Sequence, residues 1–219
     1  MTNTPTPDAV DALLDQLLVC DDAALDSALA DSAAAGLPAI AVSPQQGKFL
    51  NLLATATRAT RILEIGTLGG YSTIWLARAV GAGGSVVTCE YEPKHAEVAR
   101  ANLDRAGVGD RVQILVGPAL ESLPTISGEP FDLVFIDADK ENNPAYLKWA
   151  VRLARPGAVV LVDNVIREGS ILDPKAGDVN ANGSREALEL LGAHPQLQGA
   201  AVQTVGAKGW DGFAFAVVQ

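Results

Sequence analysis

Polar side chains follow two apolar segments of the sequence, at the point where each segment ends. Asp137 closes the segment 131–137, and Asp163 and Asn164 follow the segment 156–162. Neighbouring strands lie about 4.8 Å apart, so side chains at the carboxyl ends of two parallel strands can converge at one sheet edge. Two carboxylates and an amide oxygen suit a hard cation, which indicates Mg²⁺, while Mn²⁺ or Ca²⁺ accept the same oxygens. The alternative is two unrelated carboxylates that cap the following helices.

Lys140 lies three residues beyond Asp137. A nearby divalent cation disfavours the charged form of an ammonium group, so the pKa of this lysine is expected to fall. Lys140 is therefore a candidate general base near neutral pH. The alternative is an exposed lysine at a helix start, and these residues alone do not separate the two.

A glycine turn follows the first β-rich segment. The sequence Arg61-Ile-Leu-Glu-Ile-Gly-Thr-Leu-Gly-Gly-Tyr-Ser72 predicts a strand, a turn and a helix start, the opening of a doubly wound α/β domain. The glycine spacing differs from the dinucleotide pattern G-x-G-x-x-G, and a carboxylate at Glu64 repels a phosphate. The turn better suits the zwitterionic end of a nucleoside cofactor, with Glu64 accepting from an amine and Ser72 donating to a carboxylate. Alternatively, Glu64 merely ends a strand.

Glu90 closes the segment 85–90, about 20 residues after the turn, where an acidic side chain meets ribose hydroxyls in this fold. Glu92 is a near competitor, one step beyond the strand end. NAD and S-adenosylmethionine both carry a ribose, so Glu90 does not discriminate between them.

Strands and helices alternate through the middle of the chain. Candidate strands are 61–65, 85–90, 111–116, 131–137 and 156–162, with helical patterns at 71–80, 94–106 and 143–153. Residues 8–35 predict two short helices with a break near Cys20, and a third helix runs from Pro44, after the N-cap candidate Ser43, to about Thr57. Near-continuous apolar strands that alternate with helices predict a parallel sheet covered on both faces.

The C-terminal part of the sequence predicts a hairpin preceded by a long loop. Residues 199–205 and 211–218 are β-rich with no helix between them, and 206–209 carries turn residues. An antiparallel hairpin is therefore expected to close the parallel sheet. Residues 165–184 mix Gly and Pro with polar residues, and a loop this long is usually functional or mobile. We interpret it as a lid over the site.

Length and charge exclude several function classes. A chain of 219 residues predicts one domain. Its net charge of −10 and its lack of a basic cluster argue against nucleic acid and anionic membranes as partners. The first residues carry no secretory signal, and no apolar run approaches the roughly 20 residues that span a bilayer. Two widely separated cysteines, Cys20 and Cys89, favour a reducing, cytoplasmic location.

Six motifs point to one known family. They are Glu64-Ile-Gly-Thr-Leu-Gly-Gly-Tyr-Ser72, Phe131-Asp-Leu-Val-Phe-Ile-Asp-Ala-Asp-Lys140, Val162-Asp-Asn-Val165, Ser43-Pro-Gln-Gln-Gly47, Gly117-Pro-Ala-Leu120 and Trp210-Asp-Gly-Phe213. Together they resemble the cation-dependent O-methyltransferases, which include caffeoyl-CoA and catechol O-methyltransferases. The resemblance implies a doubly wound, Rossmann-like α/β methyltransferase fold with a seven-stranded, mostly parallel sheet. It also implies a single O-methyltransferase domain over 1–219, with N-terminal helices in 1–58 and a cofactor-binding core in 59–219.

The resemblance implies S-adenosylmethionine as methyl donor and a homodimer in the cytosol. It places the cofactor contacts at Val42, Glu64, Gly66, Thr67, Ser72, Glu90, Ala119, Asp137 and Asp139. It places the metal on Asp137, Asp163 and Asn164, with Lys140 as catalytic base beside Asp137. Val42 stands where the plant enzymes often carry a hydroxyl residue, so its contact would use the backbone. After Asn164 comes Val-Ile-Arg-Glu-Gly, where those enzymes carry a tryptophan that shapes the phenol pocket.

These observations predict methyl transfer to one hydroxyl of a vicinal diol on an aromatic ring. A bound metal would lower the pKa of the hydroxyl, and Lys140 would take its proton. The oxygen would then attack the sulfonium methyl in line. One alternative is an NAD-dependent oxidoreductase, which the glycine spacing and the lack of a Tyr-x-x-x-Lys motif disfavour. Another is a non-catalytic ligand-binding protein with the same fold.

Overall fold

The computed structural model describes residues 4–219 and is built around a seven-stranded sheet. The strands are β1 (Arg61–Ile65), β2 (Ser85–Glu90), β3 (Val112–Val116), β4 (Phe131–Ile136), β5 (Ala154–Asp163), β6 (Leu197–Gly206) and β7 (Gly209–Val218). Their order is β3-β2-β1-β4-β5-β7-β6. Strands β1 to β5 are parallel, and β7 runs antiparallel to both β5 and β6. The predicted α/β fold with its C-terminal hairpin is confirmed.

The helices cover both faces of this sheet. They are α1 (Pro7–Leu18), α2 (Ala23–Ala34), α3 (Pro44–Ala56), α4 (Tyr71–Ala79), α5 (Pro93–Arg105), α6 (Ala119–Ser122), α7 (Asn143–Leu153) and α8 (Val179–Ala193). The hydroxyl of Ser43 accepts from the backbone N–H of Gln46 at the start of α3, as a capping residue should. None of the helices within residues 4–219 combines the length and apolarity needed to cross a membrane.

Residues along one strand divide between two cores. In β1, Ile62 packs with Leu50 and Leu76 on one face, whereas Leu63 and Ile65 pack with the apolar residues of the other face. All three β1 side chains are fully buried. A strand with both faces buried reads as an unbroken apolar run, which is why the parallel strands were predictable from the sequence.

The sequence pattern did not predict α8, and the loop expected over 165–184 is wrong in its last part. The helix begins at Val179, after a short 3₁₀ segment at Arg167–Leu172. Its first turns contain Asn, Gly and Ser, which are weak helix formers. Packing outweighs that weakness: a Cβ at Gly183 would lie 2.1 Å from the Lys140 carbonyl oxygen. Glycine therefore lets α8 approach the backbone beside the candidate base.

Candidate active site

A cavity of about 900 Å³ lies at the carboxyl ends of the parallel strands. This volume falls within the range of small-molecule binding sites. The sequence-predicted residues that line it are Val42, Gly66, Thr67, Ser72, Glu90, Ala119, Asp137, Asp139, Lys140 and Asn164. Glu64 and Asp163 lie behind this wall, with 0% and 4% of their surface exposed. The structure therefore brings the predicted set to one edge of the sheet, with two of its carboxyl groups in a second layer.

The turn after β1 needs glycine at Gly66. Its φ is 104°, and a Cβ there would lie 2.2 Å from the backbone oxygen of Asp137 on the neighbouring strand. The turn is fixed from the other side by Glu90, whose Oε2 accepts from the backbone N–H groups of Thr67 at 3.1 Å and Leu68 at 2.7 Å. One oxygen of Glu90 thus holds the turn, and His95 Nδ1 lies 3.3 Å from the other.

Glu64 is a fully buried carboxyl group beneath the same turn. It accepts from the hydroxyls of Ser72 at 2.7 Å, Thr73 at 2.5 Å and Thr88 at 2.7 Å. Burial raises the pKa of Glu64 to about 7, and the charge of Asp137 adds to this, while the three hydroxyls oppose it. Glu64 and Ser72 are both predicted to contact a cofactor, and in the structure they are hydrogen-bonded to each other.

Asp137 and Lys140 form a close ion pair just beyond β4. The ammonium Nζ of Lys140 donates to Oδ1 of Asp137 at 2.8 Å, and the lysine is buried. A short 3₁₀ turn at Lys140–Asn142 returns the lysine side chain to the strand end. The candidate base therefore lies directly beside a candidate metal ligand.

Asp163 ends β5, where the register pairs Ile136 with Val162 and so sets Asp137 and Asp163 at adjacent strand ends. Its Oδ2 accepts from Nε2 of Gln46 at 2.6 Å. Burial raises the pKa of Asp163 to about 7, and repulsion from Asp137 contributes further. Lys140 and the hydrogen bonds from Asn164 and Gln46 act in the opposite direction.

The donor set at this edge fits a hard divalent cation. Asp137 and Asp163 repel each other, and a bound cation would relieve that repulsion. The side chain of Asn164 can add a neutral amide oxygen as a third ligand. Residues 4–219 hold no cluster of three or more His, Cys, Asp or Glu side chains arranged for a metal. The predicted ligand set is smaller in this respect, since it combines two carboxylates, Asp137 and Asp163, with the amide of Asn164. Metal binding remains a prediction.

Tyr146 on α7 is a site residue that the sequence pattern did not reveal. Its hydroxyl donates to Oδ1 of Asp139 at 2.5 Å, and Asn142 donates to Oδ2 at 2.5 Å. Burial raises the pKa of the Tyr146 phenol, and its hydrogen bond to Asp139 raises it further. The phenol therefore stays a donor and fixes the carboxylate of Asp139 at the cavity wall.

Lys208, in the turn between β6 and β7, also reaches the region of the site. Its ammonium donates to the backbone oxygen of Ala41, a cavity-lining residue. Burial lowers the pKa of Lys208, while the charges of Asp137 and Asp163 act against that fall. No signal in the local sequence connects this turn to the strand ends.

Comparison with known proteins places these features in a family. Residues 20–202 match the family model described as O-methyltransferase. The chain belongs to the O-methyltransferase family. This confirms the resemblance inferred from the six motifs and removes the oxidoreductase alternative.

Relatives match over nearly their whole length. A catechol O-methyltransferase of Mycobacterium tuberculosis is 65% identical over 100% of this chain and 99% of its own. A catechol O-methyltransferase of Niastella koreensis is 48% identical over 97% of each chain. Among solved structures, the O-methyltransferase from Bacillus cereus in complex with SAH is 52% identical, covers 97% of this chain and 98% of its own, and has a TM-score of 0.95.

Proposed function

We propose that this O-methyltransferase transfers a methyl group from S-adenosylmethionine to one hydroxyl of an aromatic vicinal diol, with the help of a divalent metal ion. The observation that carries the proposal is the position of Asp137 and Asp163 at the ends of adjacent strands, with Asn164 next in the chain and Lys140 paired with Asp137 at the cavity wall. The names of the relatives support the substrate class, since two are catechol O-methyltransferases. The SAH in the Bacillus cereus neighbour supports the cofactor.

We assign the amino-acid end of the cofactor to the turn after β1, and its ribose to Glu90. Gly66 keeps side-chain atoms out of the turn, and Ser72 lies at the start of α4, where backbone N–H groups favour a carboxylate. The carboxyl groups of Glu64 and Asp137 lie close enough to repel each other, so this end of the cavity favours a positively charged sulfonium.

The protein groups supply orientation and a proton acceptor. When bound, a divalent ion supplies the Lewis acidity that lowers the pKa of a diol hydroxyl. Asp137 and Asp163 would hold that ion together with Asn164. Asp137 would then be drawn to the ion rather than to the Lys140 ammonium, and Lys140, in its neutral amine form, would accept the hydroxyl proton at Nζ. The walls of the cavity fix acceptor and donor relative to each other, which is the main requirement for a direct methyl transfer. No covalent nucleophile on the protein is needed.

The test is transfer of labelled methyl to catechol with Mg²⁺ and with EDTA. Asp163→Ala should lose activity and Mn²⁺ binding together. Lys140→Ala should lower kcat by about 100-fold or more while Mn²⁺ binding is retained. The exposed residues Asp173 and Lys148 provide matched controls as alanine variants. Equal rates with Mg²⁺ and EDTA would refute the metal role.

We also propose that the chain is one methyltransferase domain that acts in the cytoplasm as a homodimer. Large apolar side chains on α1 and on the edge strand β6 are exposed, among them Leu13 at 52%, Leu17 at 66% and Val205 at 65%. A long apolar edge strand of this kind calls for a covering partner. Light scattering after size exclusion should give twice the chain mass of 22.7 kDa, and a monomer would refute the dimer.

A further inference from the structure

Arg167 is a charged residue of the cavity wall that the proposed reaction does not use. It lies in the segment after β5, is half-buried, and lines the same cavity as Lys140 and Asn164. Within residues 4–219 no carboxylate lies within 4.0 Å of its guanidinium, and Arg167 donates a hydrogen bond through its backbone N–H rather than through its side chain. A guanidinium with five donors thus faces a binding cavity without a protein partner.

The other charged side chains of the cavity wall differ from Arg167 in this respect. Asp137 is paired with Lys140 at 2.8 Å. Glu90 holds the backbone of the turn and lies beside His95. Asp139 accepts from Tyr146 and Asn142. These pairings complete the wall within the protein, whereas Arg167 leaves a positive charge available to a ligand.

The backbone holds Arg167 in an unusual conformation. Its φ is 51°, and the neighbouring Glu168 has a φ of 53°, values that non-glycine residues adopt only at a cost. The carboxylate of Asp211 stabilises this turn, because its Oδ1 accepts from the backbone N–H groups of Ile166 at 3.0 Å and Arg167 at 2.9 Å. The hairpin thus fixes the backbone of Arg167 at the cavity wall.

Arg167 is close in the chain to the candidate metal ligands. It follows Asn164 by three residues, a stretch of at most about 10 Å. The residues assigned to the cofactor lie before α3, on β1 and the turn after it, on α4, β2 and α6, and in the segment after β4. Arg167 lies instead just after Asp163 and Asn164, and because the acceptor would bind at the metal ligands, Arg167 is placed with the acceptor. Asn180 at the start of α8 lines the cavity there as well and can add an amide donor.

We propose that Arg167 selects methyl acceptors that carry a carboxylate on the ring bearing the diol, such as dihydroxybenzoates. This inference rests on the proposed function, which supplies the premise that the acceptor is an aromatic vicinal diol. A planar guanidinium matches a carboxylate with two parallel hydrogen bonds, and such charge-assisted bonds are stronger than neutral ones. Acceptors with a neutral group in the same place lose that contact, and acceptors with an ammonium are repelled.

The test compares 3,4-dihydroxybenzoate with 3,4-dihydroxybenzamide, which has the same ring and diol without the charge. Arg167→Met should lower the preference for the benzoate, measured as the ratio of kcat/KM values, by about 10- to 100-fold. Arg167→Glu should reverse it and favour 3,4-dihydroxybenzylamine. Arg58→Met is a matched control, since Arg58 also has a left-handed φ, of 54°, but is exposed and lies outside the cavity.

Calorimetry separates this inference from the proposed function. With SAH and Mg²⁺ present, Arg167→Met should weaken 3,4-dihydroxybenzoate binding by about 10-fold or more and leave SAH binding unchanged. Benzoate binding that depends on Arg167 in a protein that methylates no diol would refute the proposed function and support the inference. An unchanged preference in Arg167→Met, or an equal loss of SAH binding, would overturn the inference. If the methionine variant does not fold, Arg167→Gln and Arg167→Lys replace it, and Arg167→Lys should keep part of the preference.

Discussion

The buried carboxyl group of Glu64 should make the protein less stable as the pH rises. Burial raises its pKa from 4.5 to about 7 in the fold. Below pH 4.5 the group is protonated in both the folded and the unfolded chain and contributes nothing. Between the two pKa values the unfolded chain releases the proton and the folded chain keeps it, so stability falls. Above about pH 7 the loss is complete and constant.

The size of this loss follows from the difference between the two pKa values. At about 1.4 kcal/mol per pKa unit, the free energy of unfolding falls by about 3 kcal/mol between acid and alkaline pH. Glu64→Gln keeps the shape of the side chain and can still bond to the hydroxyls of Ser72, Thr73 and Thr88, but it does not titrate. The variant should therefore be close to the wild type at pH 5 and gain about 2 to 3 kcal/mol over it by pH 9.

Urea unfolding of the metal-free, cofactor-free protein at pH 5 and pH 9 measures this difference. The comparison between variant and wild type cancels the other titrating groups that the two share, apart from Asp137, whose charge acts on Glu64. Glu97→Gln, which changes an exposed side chain on α5, should show no such gain. If Glu64→Gln and the wild type lose stability in parallel as the pH rises, the burial argument is wrong.

Three further predictions follow from contacts at the site. Gln46→Leu removes the hydrogen-bond donor to Asp163, so the affinity for Mn²⁺, measured by calorimetry, should fall by about 10-fold. Gln45→Leu, at the neighbouring position on α3, should bind Mn²⁺ normally. Tyr146→Phe removes one hydrogen-bond donor to Asp139, so the Kd for S-adenosylmethionine should rise by about 10-fold while kcat stays nearly unchanged. A lower kcat with an unchanged Kd would contradict a positioning role for Tyr146. Gly66→Ala would place a Cβ 2.2 Å from a backbone oxygen, so its melting temperature should fall well below that of Gly81→Ala, where a Cβ meets nothing within 4 Å.

The strand ends of the site were predictable, because they follow from local patterns. Apolar runs buried on both faces locate β4 and β5, and the polar residue that ends each run then marks the edge of the sheet. The sequence alone therefore predicts that Asp137 and Asp163 lie together. Their register, with Ile136 opposite Val162, brings them to the same edge.

The remaining site residues depend on contacts between distant parts of the chain. Gln46 and Asp163 are 117 residues apart, and no periodicity links them. Arg167 could be read only as a departure from the plant enzymes, since its conformation depends on Asp211, 44 residues later. The first turns of α8 were read as loop because close packing of Gly183, rather than helix propensity, holds them in place.

Methyl transfer from labelled S-adenosylmethionine to catechol, followed in chelator-treated protein while Mg²⁺ is added, tests the central proposal most directly. We expect no transfer without the ion, full transfer when it is restored, and neither transfer nor Mn²⁺ binding in Asp163→Ala. Transfer at the same rate with and without Mg²⁺, or an Asp163→Ala variant that still binds Mn²⁺ and methylates catechol, would contradict it.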